Sequence, residues 1–164
     1  MKKQTLSYLK YNVWANQKMV DYLQNLPDEQ ISQEIMNSFP SIRLTLLHIS
    51  DAEFLWQKRL LGEAPKTFPS VTFTDDNAAV FELLMKTSKD FLQNIEQEDD
   101  TFFEKMFTYQ TISYGGSTQS AYDIVHHCMN HSTYHRGQVT MMLRQLGYTN
   151  PPHLDFMLYK MEGF

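Results

Sequence analysis

Four of the six histidines in this chain fall within ten residues of the segment "HHCMNHSTYHRGQV", residues 126–139. Imidazoles so close together suit metal ligation, acid–base chemistry or a titratable surface patch, and helical phase separates these uses. The segment carries an apolar stripe of Ala121, Val125, Cys128, Val139, Met142 and Leu146. On a 100° step, His135 lies roughly 30° from the centre of that stripe, His131 roughly 70°, His127 roughly 110° and His126 roughly 150°. His135 therefore points inward, His131 occupies the inner flank, His127 is marginal and His126 faces water.

His131 and His135 stand at i, i+4, which sets Cβ atoms about 5–6 Å apart on one face. Zinc–nitrogen bonds of about 2.0–2.1 Å allow two such rings to share an ion. HxxxH recurs by chance on helices, so the pair alone does not make a site. His48 adds weight because it occupies an inward position between Leu44 and Ala52 in a second helical pattern. A single inward histidine reads most simply as a core residue bonded to a carbonyl. Three inward histidines on two helices give one another a reason to be inside. Three neutral imidazoles with a fourth position open is the arrangement of a catalytic zinc site; a plain bundle with hydrogen-bonded core histidines is the alternative. Zinc is the default ion, and imidazole also suits nickel, iron and copper.

Other helical metal motifs are absent. Ser132 stands where HExxH would place a general-base Glu, and the paired ExxH elements of di-iron bundles are missing. Cys128, one turn before His131, is a potential thiolate ligand but reads more simply as a small core residue. Asn16 interrupts the apolar seam of the first helix, either to line a pocket or bond a ligand histidine, or as a buried amide satisfied by backbone. His127 is placed for a pocket or supporting role, against an ordinary half-exposed histidine. Gln138 is placed to contact a substrate or the metal-bound water, against a plain interhelical hydrogen bond. Arg136 points outside the ligand cluster and reads as a cap or salt-bridge partner, with holding an anionic substrate group as the alternative.

The elements that position these residues follow from periodicity. Leu6, Leu9, Val13, Val20 and Leu23 predict a helix from about residue 3 to Leu26, stopped by Pro27. A second begins near Ser41 as N-cap and ends at Gly62, with Leu44, His48, Ala52 and Leu55 as its seam. A third opens after Thr74 and Asp75 and carries Phe81, Leu84, Ser88, Phe91 and Ile95 on one face. The fourth runs from about Ser120 to Leu146 and closes at Gly147. The expected fold is all-α: one four-helix-bundle domain spanning residues 1–164. The join between the third and fourth helices is too long for a tight turn, and "KMFTYQTISYGG" suits a short hairpin. After Pro151 and Pro152 a short terminal helix docks back on the bundle.

The 164 residues suffice for one core, and 42% hydrophobic with 20% charged residues is a globular composition. A net charge of -5 and a pI near 5.6 argue against a nucleic-acid partner. The N-terminus has no uninterrupted apolar run, so neither a signal peptide nor a membrane partner is expected. One cysteine excludes an intramolecular disulfide and fits a cytoplasmic location.

"HHCMNHSTYHRGQV" followed by "LRQLGY" and "PP", with "YNVWANQKMV" and "LLHISDAEFLW" upstream in the same order, resembles the DinB family of DinB/YfiT-like metalloproteins. The resemblance covers nearly the whole chain. It implies a four-helix bundle with a divalent metal held by His48, His131 and His135. It also implies a homodimer and, by analogy with some relatives, an S-transferase that joins a small thiol such as bacillithiol to an electrophile. Many members have no established activity. A hydrolase using the same site and a non-catalytic metal-binding, stress-response module are the alternatives that go with it.

Overall fold

The computed structural model describes residues 1–73, 76–111 and 115–164. Its first helix, α1 (Lys2–Leu23), buries Leu9, Asn12, Asn16, Met19, Val20 and Leu23 at three- and four-residue spacing. Pro27 ends that run and leads into one short turn of helix, α2 (Asp28–Ser32), which docks through Ile31. The next helix, α3 (Ile42–Leu60), starts where Ser41 Oγ accepts the Leu44 N–H, and the chain turns out of it at Gly62 with φ +76°. Asp76 likewise caps α4 (Asn77–Gln97) by accepting the Ala79 N–H. Thr74 and Asp75, where the sequence places the opening of this helix, lie outside the described residues.

The long join before the last bundle helix holds a 3-10 turn at Asp100–Glu104 and an antiparallel pair, β1 (Met106–Thr111) with β2 (Gly115–Ser120). The register runs from Met106 opposite Ser120 to Thr111 opposite Gly115. The expected hairpin is therefore present, although the tip at residues 112–114 lies outside the described residues. Ser120 caps α5 (Ala121–Gln145), which ends before Gly147 at φ +93°. Past the proline pair, α6 (Phe156–Met161) packs Tyr159 against Tyr11 and Trp14 of α1, and Tyr11 Oη donates to the Leu154 carbonyl at 2.7 Å.

The chain directions follow from two apolar clusters at opposite ends of the bundle. One gathers Met19 and Leu23 of α1, Ile42 and Leu46 of α3, Val80 and Leu84 of α4, and Val139 and Met142 of α5. The other gathers Leu9, Trp56, Phe91, Ile124, Val125 and Cys128 from the same four helices. α1 and α5 thus run one way and α3 and α4 the other. Because α3 and α4 are parallel, the chain leaving α3 must return along its length. Ser70, in a 3-10 turn of that return, is tied to Asp51 on α3 by its backbone N–H at 3.0 Å and by its hydroxyl. No helix among the described residues is long and apolar enough to cross a membrane.

Two details of helical phase differ from the sequence expectation. Leu44 is exposed, and the buried face of α3 is Ile42, Leu46, Ile49, Ala52, Glu53 and Trp56. On α5, His126 is half-buried rather than solvent-facing, within 3.3 Å of Thr5 Oγ1 and against the rings of Tyr122 and Tyr8, while His127 is the exposed one. The reason is that α5 packs on α1 as well as α3, so its covered arc is wider than one apolar stripe.

Candidate metal centre

His48 projects from the middle of α3 toward α5, where His131 and His135 lie one turn apart. The Nε2 atom of His131 is 3.1 Å from Nε2 of His48 and 3.1 Å from Nε2 of His135. The three donor nitrogens all lie within 4.8 Å of one another. Tetrahedral coordination with metal–nitrogen bonds of about 2.0–2.1 Å separates ligand nitrogens by about 3.3–3.4 Å, close to this spacing.

Hydrogen bonding alone does not account for the cluster. A neutral imidazole Nε2 carries either one N–H or one in-plane lone pair, so His131 satisfies one of its two neighbours along the ring axis and not both. Protonation is no remedy. Burial first, and then the mutual repulsion of the rings, lowers the pKa of His131 to about 3 and that of His48 to about 4. Burial also lowers His135. Three neutral rings with converging nitrogens are what a cation needs, so the residues present fit a divalent ion.

Surrounding groups fix the rings. His135 Nδ1–H donates to Gln138 Oε1 at 2.7 Å, which leaves the His135 Nε2 lone pair facing the cluster. Gln138 is itself oriented by donating Nε2–H to Ser38 Oγ at 3.3 Å. Phe39 stacks on His48 at 4.1 Å between centroids and meets His135 edge-on. Ser38 and Phe39 belong to the irregular segment before α3, where no periodicity marks them. His127 stands one turn from His131, with ring centroids 6.2 Å apart, and its ring meets Trp56 edge-on. Farther along α3, Arg59 stacks over Trp56 and Tyr109.

Asn16 touches none of the three imidazoles. It belongs to a polar layer between the two apolar clusters, centred on Glu53, which is 0% exposed. Glu53 Oε1 accepts from Asn12 Nδ2 at 2.7 Å, Asn16 Nδ2 at 3.4 Å and Ser132 Oγ at 2.9 Å, and Oε2 accepts from Ser88 Oγ at 2.6 Å. Arg136 is buried here too and forms neither of its expected contacts: it caps no helix and makes no ion pair among the described residues. Its Nη1 donates to the side-chain oxygens of Asn12 and Asn16, and its Nη2 to Thr133 Oγ1 at 2.9 Å. Sequence reasoning missed Glu53, yet a signal was available: Glu53 stands at i+4 from Ile49 and i−3 from Trp56, both buried. Cys128 packs in the apolar cluster at 0% exposure, and burial, followed by the charge of Glu53, pushes its thiol pKa up. It is not one of the converging donors.

The DinB family model matches residues 1–162. The chain is 31% identical over 156 residues to Protein DinB of Bacillus subtilis (strain 168), covering 91% of this chain and 89% of that protein. A DinB-like protein from Bacillus cereus ATCC 10987 has the same fold, with a TM-score of 0.74 at 21% identity over 92% of this chain and 95% of that one. So does YfiT from Bacillus subtilis, described as a probable metal-dependent hydrolase with an unusual four-helix bundle topology; its TM-score is 0.72 at 13% identity, covering 91% of each chain. With its bundle, its order of helices and a family match over nearly its whole length, this chain belongs to the DinB family.

Proposed function

We propose that His48, His131 and His135 hold a divalent metal ion and that the protein is a metal-dependent enzyme joining a small thiol to an electrophile. The observation that carries this reading is the convergence of three neutral imidazole nitrogens with no fourth protein donor among the described residues. A divalent ion bound there supplies Lewis acidity, lowering the pKa of a thiol or water that occupies its remaining position.

The residues around the centre favour a thiol. Among the described residues no carboxylate joins the three histidines to serve as a general base, and Glu53, nearby in sequence, spends both oxygens on the polar layer. A thiolate, once ionised, attacks without a base in the transition state. Its sulfur forms a bond to the electrophilic carbon, the leaving group departs with its electron pair, and the thiol proton goes to solvent. Gln138 holds His135 in the tautomer that presents Nε2, and Phe39 walls one side of the centre against water. The description of YfiT supports a second reading, hydrolysis at the same centre.

Metal-loaded protein offered cysteine and larger thiols with a chlorodinitroarene, and separately aryl esters without thiol, distinguishes the two. Metal-dependent thioether formation, lost in His135→Ala, is the expected result. Ester hydrolysis without thioether formation favours the second reading. Metal-loaded protein inert in both arms contradicts both.

A further inference from the structure

Arg136 follows His135 in sequence, so its side chain leaves α5 about 100° around the helix from the metal-facing stripe. On that second face Thr133, Arg136, Thr140 and Arg144 look across at the chain that folds back after Gly147, with Tyr8 and Tyr11 of α1 closing one end. Together they line a cleft of about 550 Å³, within the usual range for small-molecule sites. It shares no residue with the three imidazoles, Gln138 or Phe39, so the inference stands apart from the proposed metal chemistry.

The charge of the cleft is opposite to that of the protein. Arg136 and Arg144 line it against one carboxylate, Asp155, in a chain of net charge -5. Arg136 is 2% exposed, and its Nε–H is buried with no hydrogen-bond partner. Asn12 and Asn16 stand between its guanidinium and Glu53, so no carboxylate is paired with it directly. A desolvated guanidinium ordinarily carries a bound carboxylate or phosphate, whose planar acceptors match its donors. Beside it lies an aromatic wall: Tyr8 and Tyr11 stack at 5.8 Å, and Phe156 meets them edge-on at 6.2 and 5.2 Å.

We propose that this cleft binds a small organic anion, a carboxylate or phosphate monoester with an aromatic or apolar body, whose charge is received by Arg136 and Arg144 and whose body rests on Tyr8, Tyr11 and Phe156. The two arginines set the sign of the ligand, and the aromatic wall separates it from a bare inorganic ion.

The test is a titration of the metal-loaded full chain with phenyl phosphate, benzoate, inorganic phosphate and, as a neutral control, benzyl alcohol. Backbone amide NMR reads the site, and the Trp14 indole, 6.0 Å from the Tyr11 ring, gives an optical signal. The expected result is saturable shifts at Thr133, Gly137, Thr140, Thr149 and Asn150 with at least one aromatic anion, and weaker or no binding of the other two probes. The tighter of phenyl phosphate and benzoate identifies the headgroup. Arg136 variants risk unfolding through the buried layer, so the decisive variant is Arg144→Glu at an exposed position. It weakens binding by about tenfold or more without changing the melting temperature. The proposal is overturned if neither aromatic anion saturates, if benzyl alcohol binds as well, or if Arg144→Glu binds unchanged. Shifts confined to His48 and Gln138, or shifts that track protein concentration rather than ligand, also overturn it.

Discussion

Two groups of polar side chains interrupt the core near the middle of this bundle, and they are built on opposite terms. Around Glu53, each carboxylate oxygen accepts side-chain hydrogen bonds, and Asn12 and Asn16 bridge it to Arg136, so helices α1, α3, α4 and α5 are tied into one register. Around His131, neutral nitrogens crowd together at 3.1 Å, and the single Nε2 of His131 cannot serve both of its neighbours. Apart from Arg136 Nε–H, the first group is satisfied within the chain and rigidifies it. The second is complete only with something added. A satisfied buried network stabilises a fold, whereas an unsatisfied convergence of donors marks a binding site.

Substitutions break this contrast in graded ways. Glu53→Ala has the largest effect, because it strands the buried donors of Asn12, Ser88 and Ser132 and removes the negative charge that acts on Arg136 across Asn12 and Asn16. A loss of about 3–5 kcal/mol in unfolding free energy is expected from urea denaturation. His48→Ala in the metal-free protein costs about 1 kcal/mol or less in the same measurement, since it removes a ring from a crowded cluster rather than a partner from a satisfied one. Equal costs for the two would erase the distinction.

Gln138→Ala sharpens the histidine side of the comparison. Without its oxygen the tautomer and orientation of His135 are no longer fixed, and metal affinity falls about 10–100-fold in chelator competition. Unchanged affinity would reduce Gln138 to its contact with Ser38.

The dependence on pH is smaller and follows from the lowered histidine values. In the metal-free protein His48 and His131 take up protons only near pH 4 and 3, whereas the unfolded chain takes them up from about pH 6.5. The unfolded state therefore binds more protons in this window, and stability falls as pH drops from about 6.5 toward 4. Melting temperatures of the metal-free protein should decline over that range, and His48→Ala should flatten the decline. Cys128 marks the lower limit of effect: its buried, raised thiol should label only on unfolding, and Cys128→Ala should keep the metal.

Much of this was legible because polar residues stand out against an apolar period. Phase alone selects His48, His131 and His135 and the four long helices, and Ser41 stands out as the cap of the second. Legibility failed where one helix faces two neighbours. A single stripe on α5 leaves His126 in water and gives Arg136 a capping or salt-bridging role, because it does not include the arc covered by α1. It failed also where contact comes from outside any helix: Phe39 and Ser38 have no period to betray them. The direction of α4 was equally hidden, since a join at residues 61–76 has the same length whether it turns back or returns along α3. Glu53 is the instructive omission, a charge on the buried face of α3 whose partners come from three other helices.

The central claim is that three histidines from two helices form one metal centre. Elemental analysis of protein purified without a metal-affinity tag tests it most directly, on the wild type and on His48→Ala, His135→Ala and His126→Ala. The account predicts a stoichiometric transition-metal ion in the wild type and in His126→Ala, and its loss in the other two. A wild type without metal, or full metal in His48→Ala, would contradict it.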